Sequence, residues 1–221
     1  MKVRAHYGFI AFLVFGLASC GKSNTAKIAN NWGVVSSEQE HTYIDNEGGE
    51  YYSKVSFTET TISIFSEQKP AGGPTTTSQS LGNVSENILN IKKDGTWTWN
   101  QEWSYNNEQG GMLVYSNLKT VQSGTWNFAA KTKGDDFKKN ERIVFNILSK
   151  TTTSSQIQNQ ELVNNNTSTT TFLAGENMLI YTITKSKNKE LQLEFEKDSH
   201  YTDNGEVSNT TITQKMSLKE I

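Results

Sequence analysis

The chain has 221 residues, with 21 Lys and Arg against 23 Asp and Glu, a formal net charge of −2. The charges are interspersed rather than blocked, which argues against a polyanion such as nucleic acid as partner. A single cysteine excludes any internal disulfide, so the fold must hold by packing and backbone hydrogen bonds alone.

Lys2 and Arg4 precede an apolar run from Gly8 to Leu17 in which Phe9, Ile10, Phe12, Leu13, Val14 and Phe15 dominate. The run is too short to span a bilayer as a helix, which takes about 20 apolar residues. It ends in Leu17-Ala18-Ser19-Cys20, and the whole resembles the signal peptide and lipobox of a bacterial lipoprotein. The resemblance implies a signal peptide over 1–19, removed to leave Cys20 as the first residue, with diacylglycerol on its sulfur and usually an acyl chain such as palmitate on its amine. An ordinary cleaved signal with a chance cysteine, or an uncleaved hydrophobic terminus, is the alternative. Several acyl chains together hold a protein where one would do so only marginally. Gly21 rather than Asp follows the cysteine, and in the lipoproteins of enteric bacteria that implies the bacterial outer membrane. No acidic cluster follows either, which favours a periplasm-facing position over the cell surface.

Cleavage would remove Lys2 and Arg4, leaving 19 basic residues against 23 acidic, a net charge of −4. Residues 20–30 read as lipidated cysteine and flexible tether, because the stretch after Cys20 is polar and without periodicity. Roughly ten flexible residues keep the domain within about 20 Å of the lipid surface. Residues 31–221 form the folded domain.

The domain reads as strands. Thr, Asn and Ser are abundant, only Pro70 and Pro74 interrupt, and apolar and polar residues alternate between Gly, Asn and Asp turn signals. Strands are expected near 31–41, 51–65, 86–92, 96–105, 112–128, 141–154, 168–174, 178–185, 190–201 and 207–218, with no amphipathic helix of ten residues. The segment from Ser66 to Gly82 reads as a long loop, a lid or a partner contact.

Three hairpins can be resolved further, because loop length fixes which faces coincide. A three-residue loop Lys93-Asp94-Gly95 pairs Ile91 with Trp97 and Leu89 with Trp99, placing Gly95 in the left-handed region that a missing Cβ permits. A two-residue turn at Asn204-Gly205 pairs Leu193 with Met216, Leu191 with Leu218, and Lys197 with Ile212. A three-residue loop Ser186-Lys187-Asn188 would pair Ile183 with Leu191 and Tyr181 with Leu193. Successive hairpins with one apolar face must close on themselves or pack on a second sheet. The expected fold is all-β, a single antiparallel up-and-down barrel of eight or so strands, with a β-sandwich as the alternative.

The landmarks Asn31-Trp32, then Leu89-Asn90-Ile91-Lys92-Lys93-Asp94-Gly95-Thr96-Trp97, then Ser123-Gly124-Thr125-Trp126-Asn127-Phe128, are similar in order to those of the lipocalin-like lipoproteins of the Bacteroidota. That resemblance implies a barrel whose mouth admits a small hydrophobic molecule close to the membrane.

Trp97, Trp99, Trp103 and Tyr105 fall on one face of one strand, and a lumen lined this way suits an apolar or sugar-like ligand. Core filling is the competing account, since aromatic residues bury large areas and favour strands. Trp32 and Trp126 lean further toward structure. The mature histidines, His41 and His200, have no metal-ligand spacing and read as surface residues. Glu194 and Glu196 share a polar face, but no pocket signal accompanies them. No nucleophile elbow or phosphate loop occurs. The sequence therefore leads to a non-enzymatic, lipid-anchored barrel that binds or carries a small ligand and needs no cofactor. A structural module that contacts another envelope protein is the second reading.

Overall fold

A computed structural model describes residues 27–109, 112–129, 141–203 and 206–221, with side chains at 107–112 and 200–207 outside the description. Eleven strands follow in order: β1 (Asn31–Ile44), β2 (Glu50–Thr58), β3 (Thr61–Lys69), β4 (Thr76–Ile91), β5 (Thr96–Gln109), β6 (Met112–Ala129), β7 (Glu141–Gln158), β8 (Glu161–Thr171), β9 (Met178–Lys187), β10 (Glu190–Asp203) and β11 (Glu206–Glu220). Every pairing is antiparallel, and β1–β7, β9, β10 and β11 form a closed ring of ten. The chain is thus the expected all-β barrel, with more strands than the eight or so read from sequence, and closure rules out the sandwich.

The ring is not equally wide along its axis. At one end Asn31–Gly33 of β1 pair directly with Ile88–Asn90 of β4, so β2 and β3 drop out and only eight strands surround the axis. An eight-strand barrel is just wide enough to be filled by side chains. The core lies there: Trp32, Val34, Leu89, Ile91, Trp97, Trp99, Trp126, Phe145, Tyr181, Leu193 and Met216 are all buried, and none of its residues belongs to β2 or β3. Ile28, within the stretch expected as tether, is 2% exposed and plugs this narrow end. The indole of Trp32 donates to its carbonyl at 2.8 Å.

The wide end includes the β2–β3 hairpin, and its inward side chains, among them Val55, Phe57, Ile64, Trp103, Tyr105 and Leu118, are half-buried. Its wall also carries a seam. β9 pairs with β10 only over Glu190–Glu194 and with β7 only over Glu141–Asn146, while β8 pairs with β7 over Ser149–Gln158. Among the described residues no strand pairing joins β8 to the upper half of β10.

Two of the three hairpin registers hold. Ile91 faces Trp97 and Leu89 faces Trp99, with Gly95 at φ +86°. Asp94 tightens this turn by accepting from the backbone and hydroxyl of Thr96, and those two bonds hold its carboxyl below the usual carboxylate range. Leu193 faces Met216, Leu191 faces Leu218, and Lys197 faces Ile212; the turn at Asn204-Gly205 itself lies outside the described residues.

The third register differs. Lys187 pairs with Glu190 across a two-residue turn whose Asn188 and Lys189 both have positive φ, 56° and 63°. That type I′ geometry matches strand twist. A bulge that leaves Thr184 unpaired then brings Ile183 opposite Leu193, restoring apolar contact by a route that loop length alone does not reveal.

Other differences lie where the sequence is polar. The single strand expected over 51–65 is a hairpin, turning at Glu59-Thr60 without glycine or proline. The Thr58 hydroxyl accepts there from the Thr60 and Thr61 amides at 3.3 and 2.9 Å. The loop expected from Ser66 to Gly82 is mostly ladder, since Thr61–Gln68 pair with Thr76–Asn83 around a short turn. The strand placed at 168–174 instead spans β8, entered through Asn159 and Gln160 at φ 51° and 67°.

Candidate functional site

Above the core, the inward side chains of β4, β5 and β6 form rows set by register. Asn87 faces Gln101, which faces Thr120; Trp103 faces Val84 and Leu118; Tyr105 faces Gly82 and Ser116. Trp97, Trp99, Trp103 and Tyr105 therefore do form one column along the inside of β5, running from narrow end to wide end. The column divides in two.

Trp97 and Trp99 are 1% and 6% exposed and their polar atoms are matched. The Trp97 indole donates to Thr125 O at 3.0 Å and Asn146 O at 3.2 Å, and its ring lies 4.9 Å from that of Phe145. Rings continue from Phe145 to Tyr181 to Phe195 at 5.9 and 5.5 Å, crossing the core. Trp126 donates to Lys92 O at 2.8 Å. These groups bury area that no ligand can reach, and each stabilises the fold by about 3–5 kcal/mol relative to alanine.

Trp103 and Tyr105 stand in the wide end. Trp103 packs edge to face on Phe57 of β2 at 5.4 Å, and its indole Nε1 is buried without a hydrogen-bond partner in the protein. Asn87 is 8% exposed; its Oδ1 accepts from Trp99 Nε1 at 2.9 Å, while its Nδ2 is buried and unpartnered. Indole N–H only donates, so this contact fixes the amide orientation and makes Nδ2 a donor. Ser116 Oγ, 5% exposed as a residue, and Gln122 Oε1 complete the set of unpartnered buried atoms on these three strands. Each such group costs about 1–3 kcal/mol when left unmatched. Sequence reasoning placed only Trp103 and Tyr105 here. Phe57 was hidden in a strand read as unbroken, and Asn87, Ser116 and Gln122 carry no motif.

Charge is unevenly placed around the ring: Lys150 of β7, opposite Gln122, and Lys197 of β10, opposite Ile212, take inward register. Among the described side chains, the inward positions of β1–β6 include no Asp, Glu, Lys or Arg; Glu38, Glu40, Lys54, Glu86, Glu102 and Lys119 all take outward register. Lys54 lies 2.8 and 3.2 Å from Glu38 and Glu40, and those contacts hold its ammonium above the usual lysine range. His41 is half-buried and inward rather than at the surface, with its ring 6.2 Å from Tyr51. The side chain of His200 lies outside the described residues, as does Cys20.

A concavity of about 780 Å³ opens where β10 leaves β9, lined by Glu194, Glu196, Arg142, Lys215, Ile180 and Phe195 among others. Its carboxylates show no convergence on an apolar pocket of the kind acid-base catalysis needs. Among the described residues, no group of three or more His, Cys, Asp or Glu side chains is placed to hold a metal ion. No protein-family model, no curated protein and no solved structure matches this chain.

Proposed function

We propose that this is a non-catalytic, lipid-anchored envelope protein that takes a small molecule into the wide end of its barrel. The observation that carries the reading is the separation of roles along one strand. Trp97 and Trp99 fill an eight-strand end, while Trp103 and Tyr105 remain half-buried beside Phe57 in the ten-strand end. A barrel built only for packing has no reason to widen around aromatic and unpartnered polar side chains. The seam between β8 and β10 supplies an entrance.

The anchor rests on the likeness of Leu17-Ala18-Ser19-Cys20 to a lipobox, and the address it implies is the outer membrane, facing the periplasm. With the core starting at Ile28, few residues separate Cys20 from the barrel, and the narrow end faces the lipid. Metabolic labelling with a clickable palmitate analogue tests this: wild type incorporates label and Cys20→Ala does not, whereas label on the variant would refute the anchor. Native mass spectrometry of the protein from its own membranes tests the binder. A reproducible added mass that is lost on denaturation supports it, and a bare lipoprotein mass opposes it.

A second reading, an interaction module for another envelope protein, is favoured by β8. This strand lies outside the ring, is exposed along its whole length and carries Leu162 and Val163 at 60% and 53% exposure. An unpaired edge of that kind is a ready template for an added strand.

A further inference from the structure

The lysines of this acidic chain are scattered in sequence, but the fold gathers many of them at one end of the barrel. Lys27 precedes β1, Lys92 and Lys93 lie in the β4–β5 turn, and Lys187 and Lys189 lie at the β9–β10 turn; all five are exposed at the narrow end. The carboxylates beside them are engaged. Asp94 is held by Thr96, Glu190 is ion-paired with Lys185, and Glu220 adjoins Lys219. These seven lysines against three carboxylates give the described turns and strand ends a net side-chain charge of +4, while Glu141 and Arg142 at the start of β7 offset each other. The wide end is the reverse. Asp45, Glu47, Glu50, Glu67 and Glu161 stand there against Lys69, a net of −4 among the described side chains. The barrel is therefore a charge dipole along its axis.

Among the basic turns lies a concavity of about 610 Å³, lined by Lys27, Asn30, Lys187, Lys189, Glu190 and Glu220 among others. Lysine ammonium groups are compact point charges suited to phosphate oxygens. Among the described residues of this end, no exposed aromatic side chain accompanies them, as stacking on nucleic-acid bases would require. Cys20 lies seven positions before Lys27, so a lipid on it holds this end within about 25 Å of the acyl chains even at full extension. Near an anionic lipid surface each lysine strengthens binding about fivefold, an effect that fades within a Debye length. We propose that the narrow end is an electrostatic seat for an anionic phospholipid surface, with Lys27, Lys187 and Lys189 on the headgroup phosphates and the wide end turned away from the membrane. The nearness to lipid rests on the anchor reading above, whereas the charge of the end does not.

The test places the full-length protein, purified from its own membranes, with vesicles of phosphatidylcholine alone or of equimolar phosphatidylcholine and phosphatidylglycerol. Flotation reports association, and acetylation by a water-soluble ester, read residue by residue by mass spectrometry, reports which lysines are covered. Lys27, Lys92, Lys187 and Lys189 are expected to react several-fold more slowly on the anionic vesicles and to recover in 1 M salt, with Lys69 at the wide end unchanged. Replacing Lys187→Gln and Lys189→Gln together, both at exposed positions that the fold does not need, should weaken the protection of Lys27 and Lys92 about fivefold for each charge removed. Flotation with both vesicles but equal lysine reactivity on both would overturn the seat and leave the anchor standing. Protection that survives high salt and the double variant would also overturn it, since simple crowding against the bilayer would then be the cause. Salt-sensitive flotation with the anionic vesicles alone would support the seat and overturn the anchor, and flotation with neither would remove both.

Discussion

Gly124 offers the most direct test of how the narrow end is closed. It lies at a bulge where β6 meets β7, and a Cβ built there would sit 1.8 Å from Asn146 O, 2.9 Å from Asn146 C and 3.0 Å from Leu148 N. All three atoms are backbone, so no side-chain rotation relieves the clash and the strands must part. Overpacking of this kind costs about 1–3 kcal/mol, with backbone obstruction at the upper end. Parting the strands also disturbs Asn146 O as acceptor for Trp97 Nε1, worth about 1 kcal/mol more. Gly124→Ala should therefore lose about 4 kcal/mol, which for a domain this size lowers Tm by about 8–16 °C.

Gly95→Ala separates conformational strain from collision. Gly95 has φ +86°, yet the nearest atom to its Cβ is Trp126 O at 3.8 Å, so the expected cost is only the left-handed penalty of about 1–2 kcal/mol. Thermal unfolding followed by far-ultraviolet circular dichroism ranks the two. A Gly124→Ala variant that melts with the parent, or above Gly95→Ala, would refute the close approach of β6 and β7.

Other consequences are open to simpler measurements. Burial pushes the Tyr181 phenol well above its ordinary value, while its hydroxyl donates to Gln214 Oε1 at 2.6 Å. The unfolded chain then releases a proton above about pH 10 that the folded chain keeps. Stability is full below that pH and falls as pH rises, by up to about 1.4 kcal/mol per unit for this group. Urea midpoints across the alkaline range should drop for wild type and drop less steeply for Tyr181→Phe, and parallel curves would show that the phenol is not the cause. Lys54→Ala should cost under about 1 kcal/mol despite its two carboxylate neighbours, because all three side chains are a third or more exposed. Its effect should shrink further in 1 M salt, and a larger salt-independent loss would show that the lysine stem is packing instead.

Much of the fold could be read from the residues because apolar alternation constrains register. Around Asp94-Gly95, only one loop length sets Ile91 and Leu89 beside Trp97 and Trp99, and at the far end only one register gathers Leu191, Leu193, Met216 and Leu218. Where side chains do not alternate, that reasoning has nothing to grip. From Asn164 to Thr171 β8 is only Asn, Thr and Ser, and the β3–β4 ladder runs through a Thr and Ser tract. Backbone hydrogen bonds build both without leaving a side-chain signature. At Ser186–Lys189 the alternation was visible but a bulge satisfied it differently.

By itself, the sequence determined the all-β class, the single antiparallel barrel and which face of β5 turns inward, since these follow from period-two patterning and the need to bury one face. Only the tertiary structure decided that β1 and β4 meet beneath the β2–β3 hairpin, leaving eight strands at one end and ten at the other. That contact joins residues far apart in the chain whose side chains look like any other strand's. It determines that Trp97 and Trp99 are core while Trp103 and Tyr105, on the same face and at the same spacing, line the wider end. Side-chain parity is local, whereas barrel width depends on how many strands close the ring.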